Sequence, residues 1–185
     1  AQSEAATGKK WVNYWVHGEF LLMDKQKMAK SAGNFLTLQS LIDRGYDPLD
    51  YRYFCLGGHY RSQLVFNFES LGAARNAREN LVERIRTMKA SAESVSVEEL
   101  GTAASEILAK FRDDILNDLN SPKALADLWQ LMKDGSISDP EKLAAALEMD
   151  KVLGLRFEEI EAKNPELSEE EMILVLEREN ARKSK

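Results

Sequence analysis

The regular return of apolar residues at helical spacing through the second half of the chain is the feature that most constrains its fold. From residue 69 onward, apolar side chains recur every three or four positions, which is typical of helices with one buried face. Ser121-Pro122 and Asp139-Pro140 mark two helix starts, because proline in a first turn leaves no helical hydrogen bond unmade. The pattern predicts helices over 69–92 and 98–118, a third with Ser121 as N-cap, and a fourth from Asp139. Their apolar stripes favour packing as a bundle.

The first 68 residues have a different character, with short apolar runs between glycines and polar segments. The run 18–23 is too short for a helix and predicts a buried strand, and 64–68 predicts another. Residues 24–34 have no periodicity and predict a loop. Helices are expected over 36–45, ended by a glycine, and from Asp47-Pro48, with the aspartate as N-cap.

Composition narrows the kind of protein. Among 185 residues there is one cysteine, Cys55, and there are two histidines, so neither an internal disulfide nor a zinc site of the usual nitrogen and sulfur ligands is expected. No apolar run approaches the roughly 18 residues of a membrane span, and no secretory leader opens the chain. We therefore expect a soluble, cytoplasmic protein.

The net charge of −6 is unevenly distributed. Residues 1–90 carry 13 Lys and Arg against 9 Asp and Glu, whereas residues 91–185 carry 12 against 22. A polyanionic partner would therefore meet the first half. The alternative is that acidic helices merely keep the second half solvated.

One segment carries candidate chemistry. Lys25, Lys27 and Lys30 lie within six positions on the predicted loop, and Ser31 and Gly33 follow at once. Lysines act as compact charges on flexible stems, and small residues let the backbone approach a phosphate. The segment suits a mobile phosphate clamp. From the charges alone, a solvated lysine loop remains the alternative.

The order of the residues adds a resemblance. Lys27-Met28-Ala29-Lys30-Ser31 resembles the second signature motif of class I aminoacyl-tRNA synthetases, usually Lys-Met-Ser-Lys-Ser, with alanine in place of the first serine. The resemblance implies a loop that closes over ATP, with Lys30 and Lys27 as catalytic residues and Lys30 stabilising the departing pyrophosphate. It also implies ATP contacts from Ser31, His17 and Gly18.

Further segments resemble the cysteinyl-tRNA synthetases in particular, in the same order along the chain. They are Tyr14 to Gly18, Gly33 to Phe35, Leu56 to Ser62, Asp118 to Leu125 and Arg178 to Lys185. The implied fold class is mainly α, with a remnant of an α/β nucleotide-binding fold and its short strands, followed by an antiparallel helical bundle. The implied domains are 1–35 as the C-terminal end of the catalytic domain, 36–68 as a connecting unit that contacts the tRNA stem, and 69–185 as an anticodon-binding bundle.

The resemblance also implies an activity. The whole enzyme would activate cysteine with ATP, in a Mg-dependent step, and transfer it to cysteine tRNA. This chain resembles a C-terminal fragment, is expected to be inactive alone, and is expected to be a monomer. The zinc of the parent family would have no ligands here, because its binding stretch precedes the start of this sequence.

Several residues allow two interpretations of their role. Tyr60 and Arg61 could bind RNA through stacking and a cation, but Tyr60 could equally form a packing corner and Arg61 a structural ion pair. Trp129 could read a base, although core packing is favoured. Cys55 is expected to be a small buried hydrophobe.

Two other functions stay open at this point. The first is a non-catalytic RNA-binding or regulatory paralogue of a synthetase. The second is a ligase that joins cysteine to an amino sugar with the same signature loop. The segment Asp118 to Leu125 and its predicted bundle weigh against the second, because such a ligase has no anticodon to read.

Overall fold

The computed structural model describes residues 2–23, 26–27, 37–91 and 95–162. Its helices are α1 (Gln2–Thr7), α2 (Leu38–Ile42), α3 (Pro48–Leu56), α4 (Phe68–Ser91), α5 (Thr102–Leu116), α6 (Ser121–Lys133) and α7 (Asp139–Leu153), and its strands are β1 (Leu21–Met23), β2 (Gln26–Lys27) and β3 (Leu64–Phe66). Short 3-10 helices span Val97–Glu99 and Phe157–Glu159. The prediction of a mainly α chain is confirmed.

The three strands form one small sheet in the order β2-β1-β3. β1 runs parallel to β3, with Leu22 opposite Val65, and antiparallel to β2, with Leu22 opposite Lys27. Strands were predicted within 18–23 and 64–68, and both are present but shorter. The expectation that the first strand is buried is wrong, because Leu21–Met23 is only half-buried and residues 18–20 are exposed. The prediction of a loop over 24–34 is wrong at 26–27, because these residues pair with the edge of β1; the rest of that segment lies outside the described residues.

Local sequence signals determine where α2 ends and where α3 begins. Gly45 adopts a left-handed φ of 81° just beyond α2, and the amides of Gly45 and Tyr46 donate to the carbonyls of Ile42 and Leu41 over 2.8 and 3.0 Å. This pair of bonds is a Schellman ending, which needs glycine at its left-handed position. Asp47 caps α3 by accepting from the Leu49 amide over 2.7 Å. Both predicted boundaries are confirmed.

The part of the chain over 37–67, for which we keep the name connecting unit, packs on α4 through aromatic side chains. Phe66 of β3 is buried and meets Phe54 of α3 and Phe68 of α4 edge-on, with ring centroids 5.6 and 5.5 Å apart. Edge-to-face rings at this separation add directional packing to the area that they bury. The strand β3 is thereby fixed between two helices, and β1 beside it.

Helices α5, α6 and α7 pack on one another, and α4 packs on α7. Their shared core contains fully buried side chains from each helix: Leu81, Ile85, Phe111, Leu128, Leu131, Met149 and Leu153. Trp129 also packs against this core, and its Nε1 donates to the Tyr53 hydroxyl over 2.8 Å. The core reading of Trp129 is therefore the one the structure favours.

The start of α6 differs from the prediction. Ser121 is the first helical residue, and Asn120 is the N-cap, with Oδ1 accepting from the Lys123 amide at 3.4 Å. Pro122 lies in the first turn as expected. The run Ser168-Glu169-Glu170-Glu171 has the form of a capping box and predicts a further helix, which lies outside the described residues. Over the described chain, no helix combines the length and the apolar character that crossing a membrane requires.

Candidate functional site

The lysine segment is only partly covered by the structure. Lys27 lies in β2, where its backbone pairs with Leu22 of β1. Lys30 and Ser31, for which the resemblance implies the central roles, lie outside the described residues. Their assignment stays a prediction.

The two other residues with an expected ATP role are adjacent in sequence but have different surroundings. The His17 ring stacks on Trp15, with centroids 5.9 Å apart and planes 7° from parallel, and Trp15 meets Trp11 edge-on at 5.5 Å. Both tryptophans are more than half exposed. Gly18 instead lies beside the segment before β3, since a Cβ there would be 3.7 Å from the Tyr60 carbonyl oxygen.

Gly18 lines a cavity of about 380 Å³ between the start of β1, α3 and the segment before β3. Its polar wall includes Glu19, Arg52, His59 and Ser121. Cys55 also lines it, and burial raises the pKa of its thiol, so the thiol stays protonated. His17 is not among the residues that line this cavity.

Tyr60 and Arg61 converge on one carboxylate across the molecule. The Tyr60 hydroxyl donates to Oδ1 of Asp118 over 2.5 Å, and Nε of Arg61 lies 2.8 Å from Oδ2. Nη2 of Arg61 also donates to Oδ1 over 3.1 Å, and Nε donates to the Tyr60 hydroxyl over 2.9 Å. The three side chains thus form a closed ring of contacts between the connecting unit and the turn that joins α5 to α6.

His59 completes this cluster. Its Nδ1 accepts from the Arg61 amide over 3.3 Å, so the proton of a neutral ring is on Nε2. Nε2 lies 3.1 Å from the Asp118 carbonyl oxygen, where it can donate. The ring also stacks on Tyr60, with centroids 5.0 Å apart. We call His59, Tyr60, Arg61 and Asp118 the Asp118 cluster.

Hydrogen bonding stabilises the ionised form of this carboxylate. The bond from the Tyr60 hydroxyl, followed by the contacts with Arg61, lowers the pKa of Asp118 below its ordinary value. The hydrogen bonds that Arg61 donates, first to the Tyr60 hydroxyl and then to Asp118, raise the pKa of Arg61. The charged pair therefore persists across the neutral range, although the Arg61 side chain remains 66% exposed.

Sequence reasoning did not select Asp118 as a site residue. In the structure, Asp118 and the residue after it have left-handed φ values of 64° and 53°, a conformation that aspartate adopts more readily than most residues but that the sequence does not reveal. Nothing local in the sequence identifies its partners, since Arg61 is 57 positions away.

Among the residues that the structure describes, no group of three or more His, Cys, Asp or Glu side chains is arranged to hold a metal ion.

Comparison with known proteins relates the chain to enzymes that charge tRNA. Residues 1–76 match the family model described as tRNA synthetases class I (C) catalytic domain. A cysteine–tRNA ligase from Treponema denticola is 40% identical over 174 residues, which is 85% of this chain and 35% of that protein. One from Borreliella afzelii is 38% identical over 171 residues, covering 88% of this chain and 36% of its own length.

Cysteine–tRNA ligase 1 from Burkholderia lata is 41% identical over 187 residues, which covers 100% of this chain and 37% of that protein. The similarity therefore extends beyond the region of the family model into the helices of the second half. The chain spans about a third of the length of the curated relatives that it matches.

Proposed function

This chain is homologous to a part of the cysteine–tRNA ligases, which are class I aminoacyl-tRNA synthetases, and we propose that it serves the same reaction. In that reaction the cysteine carboxylate attacks the α-phosphate of ATP, and the bond to the β-phosphate breaks to release pyrophosphate. The cysteinyl group then passes from the adenylate to the terminal adenosine of cysteine tRNA. The observation that carries the proposal is similarity along the whole chain that includes the signature motif.

The signature segment supplies the charge that this reaction needs. Lys30 would meet the β- and γ-phosphates as negative charge builds on the leaving pyrophosphate, and Lys27 would add a second cation. Ser31 would contribute a hydroxyl and a backbone amide. In support, the backbone of Lys27, the first residue of the motif, pairs with β1. At the start of the same strand, Gly18 and the adjacent His17 are proposed to approach the nucleotide.

Two other residues are proposed to contact the tRNA. The guanidinium of Arg61 is exposed, and no described residue accepts a hydrogen bond from its Nη1. The contacts around Asp118 direct Nη1 of Arg61 toward solvent, where it can donate a hydrogen bond to a phosphate. Tyr60 stacks on His59 and would extend this surface toward a sugar or a base.

The helical region is proposed to bind the anticodon end of the tRNA, as an antiparallel bundle over 69–185. The division of the chain into 1–35, 36–68 and 69–185 belongs to the same proposal. Residues 91–185 are acidic, so this contact must rely on a few local cations and unstacked bases. The binding constant should therefore change little with salt, since its dependence scales with the number of phosphates neutralised.

The proposal also includes magnesium bound with ATP, zinc that binds the substrate thiol, a monomeric state and a cytoplasmic location. The three lysines suit phosphate by their chemistry. A thiol-binding zinc would be held by the part of the synthetase that this sequence does not include, and the chain alone would then form no cysteinyl adenylate.

The test compares two proteins for cysteine-dependent exchange of pyrophosphate into ATP. One is this 185-residue chain, and the other is the longest reading frame that contains it. We expect exchange with the longer protein and none with the chain alone. Exchange by the chain alone would refute the proposed inactivity. A longer protein that binds tRNA yet exchanges nothing would support a non-catalytic RNA-binding paralogue instead.

A further inference from the structure

The tripeptide His59-Tyr60-Arg61 holds two distant parts of the chain at once. On one side, its side chains contact Asp118 in the turn between α5 and α6. On the other side, the Tyr60 carbonyl accepts from the Glu19 amide over 2.7 Å. Glu19 lies two residues before β1, the strand to which Lys27 is paired. A continuous path of contacts therefore joins the helical turn to the strand before the signature segment.

The turn that carries Asp118 is held in a costly conformation. Asp118 and Leu119 both have left-handed φ values, of 64° and 53°, and such backbone persists only where surrounding contacts determine it. Three contacts do so here: the Leu119 amide donates to Ile115, the Asn120 amide to Asp114, and the Ser121 amide to Leu119, over 3.0, 3.1 and 2.7 Å. The direction of the Asp118 carboxylate is thereby fixed.

A second contact ties the same two parts together. The Ser121 hydroxyl, on the first residue of α6, donates to the Gly58 carbonyl over 3.3 Å. Gly58 itself has no room for a side chain without displacing Leu64, since a Cβ would lie 3.0 Å from Leu64 Cδ1. The segment before β3 is thus held from the bundle at Gly58 and at Tyr60.

We propose that Asp118 is a positioning residue, which acts through Tyr60 and Arg61 to hold the start of β1 against the connecting unit. Movement of the α5–α6 turn is thereby transmitted to Glu19 and to the strand that precedes Lys27. The catalytic meaning of this link rests on the proposed function, because only there does the position of the signature segment control a reaction.

Stability alone does not account for this arrangement. Asp118 and Arg61 are 43% and 66% exposed, and ion pairs at such positions contribute little to the free energy of folding because water screens them. What the cluster fixes is direction, since the hydroxyl of Tyr60 binds Oδ1 of Asp118 while the guanidinium of Arg61 contacts both of its oxygens. A loss of Asp118 should therefore be felt at Glu19 more than in the unfolding of the whole chain.

Hydrogen exchange of the 185-residue chain tests this link without any catalytic assay. Asp118→Gly removes the carboxylate but keeps a residue that tolerates a positive φ, and Asp118→Asn retains one acceptor for Tyr60. We expect the Glu19 amide to exchange roughly fivefold faster in Asp118→Gly, the effect of losing about one hydrogen bond, and less so in Asp118→Asn. Glu148→Gln, which removes a half-buried carboxylate paired with Arg112 and Lys151, should leave the exchange of the Glu19 amide unchanged.

The exchange rate of the Glu19 amide decides between the two outcomes. Faster exchange there, with a melting temperature close to that of Glu148→Gln, supports the positioning role even if the proposed reaction is wrong. Unchanged exchange in both Asp118 variants overturns the proposal, because the cluster would then be a surface ion pair without effect on β1.

A second assay separates positioning from RNA contact in the longer protein described above. If that protein is active, Asp118→Gly should lower the kcat of pyrophosphate exchange, which needs no tRNA, while the KM for cysteine changes little. Tyr60→Phe keeps the backbone carbonyl but loses the hydroxyl, and it should lower this kcat less than Asp118→Gly does. A defect confined to the tRNA-dependent step would mean that the cluster binds RNA, and the positioning role would be rejected.

Discussion

The guanidinium of Arg78 on α4 donates to the buried carboxylate of Asp50 on α3 over 2.7 Å. Asp50 is 1% exposed, and the Arg78 side chain is 12% exposed. The other oxygen of Asp50 accepts from the Asp47 amide, which completes the capping box of α3. One carboxylate therefore fixes both the start of α3 and its position against α4, which brings the connecting unit to the helical region.

Removal of Arg78 should destabilise the chain strongly. Arg78→Met leaves the Asp50 charge buried without its partner, and such changes cost about 3–5 kcal/mol in the free energy of unfolding. Urea unfolding measures this. The double variant Arg78→Met/Asp50→Asn should recover part of the loss, because no buried charge remains and the amide oxygen can still accept from Asp47. A single variant within about 1 kcal/mol of the wild type, the range of an exposed pair, would show that the pair is solvated.

Asp127 on α6 should make stability depend on pH. Its side chain is buried beside Lys110 of α5, and among the described residues its Oδ2 has no hydrogen-bond partner. Burial raises the pKa of Asp127 above its ordinary 3.8, although the Lys110 contact opposes the rise. The folded state thus binds the proton more tightly than the unfolded state, and the free energy of unfolding falls as the pH rises from 3.8 through the folded pKa.

The variant Asp127→Asn has no such titration and serves as the reference. As the pH rises above 3.8 and through the raised pKa of the folded state, wild-type stability should fall relative to Asp127→Asn. Urea unfolding at several pH values gives both curves. If the two curves run parallel, Asp127 titrates like a solvated carboxyl and the assignment of burial as the dominant cause is wrong.

Local signals were read correctly from the sequence. Asp47-Pro48 and Gly45 act within one helical turn, so the residue types alone determined where α2 ends and α3 begins. The same holds for the apolar stripes of the second half, because each helix buries the face that its periodicity indicates.

Features that depend on distant partners were not predicted. The pairing of β2 with β1 involves backbone groups, which carry no hydrophobic pattern. The N-cap of α6 is Asn120 because two left-handed residues precede it and shift the helix start, whereas the sequence favoured Ser121. The partners of Arg61 were also beyond reach, since Asp118 is adjacent only in the folded chain.

The signature segment leads to a kinetic prediction for the longer protein. Lys30→Ala should lower the single-turnover rate of adenylate formation by about 10²–10³, because a preorganised charge acts mainly in the transition state. The affinity for cysteine should change little. Lys27→Ala should cost less, and Lys25→Ala, outside the motif but in the same lysine run, is the control. If all three variants form the adenylate at the wild-type rate, the segment is a solvated lysine run.

The turn after α5 offers a substitution that should stabilise the chain. Leu119 has a φ of 53° and is 52% exposed. Its backbone conformation is therefore unfavourable, and the burial of its side chain offsets little of that cost. A left-handed conformation costs a non-glycine residue about 1–2 kcal/mol. Leu119→Gly should therefore raise the free energy of unfolding by about 1 kcal/mol, after part of the gain is lost to the greater freedom of glycine in the unfolded chain. Leu119→Ala is the matched control: it removes the same apolar contacts but keeps the Cβ, and it should give no gain. Equal stability of the glycine and alanine variants in urea unfolding would show that the turn is not strained at Leu119.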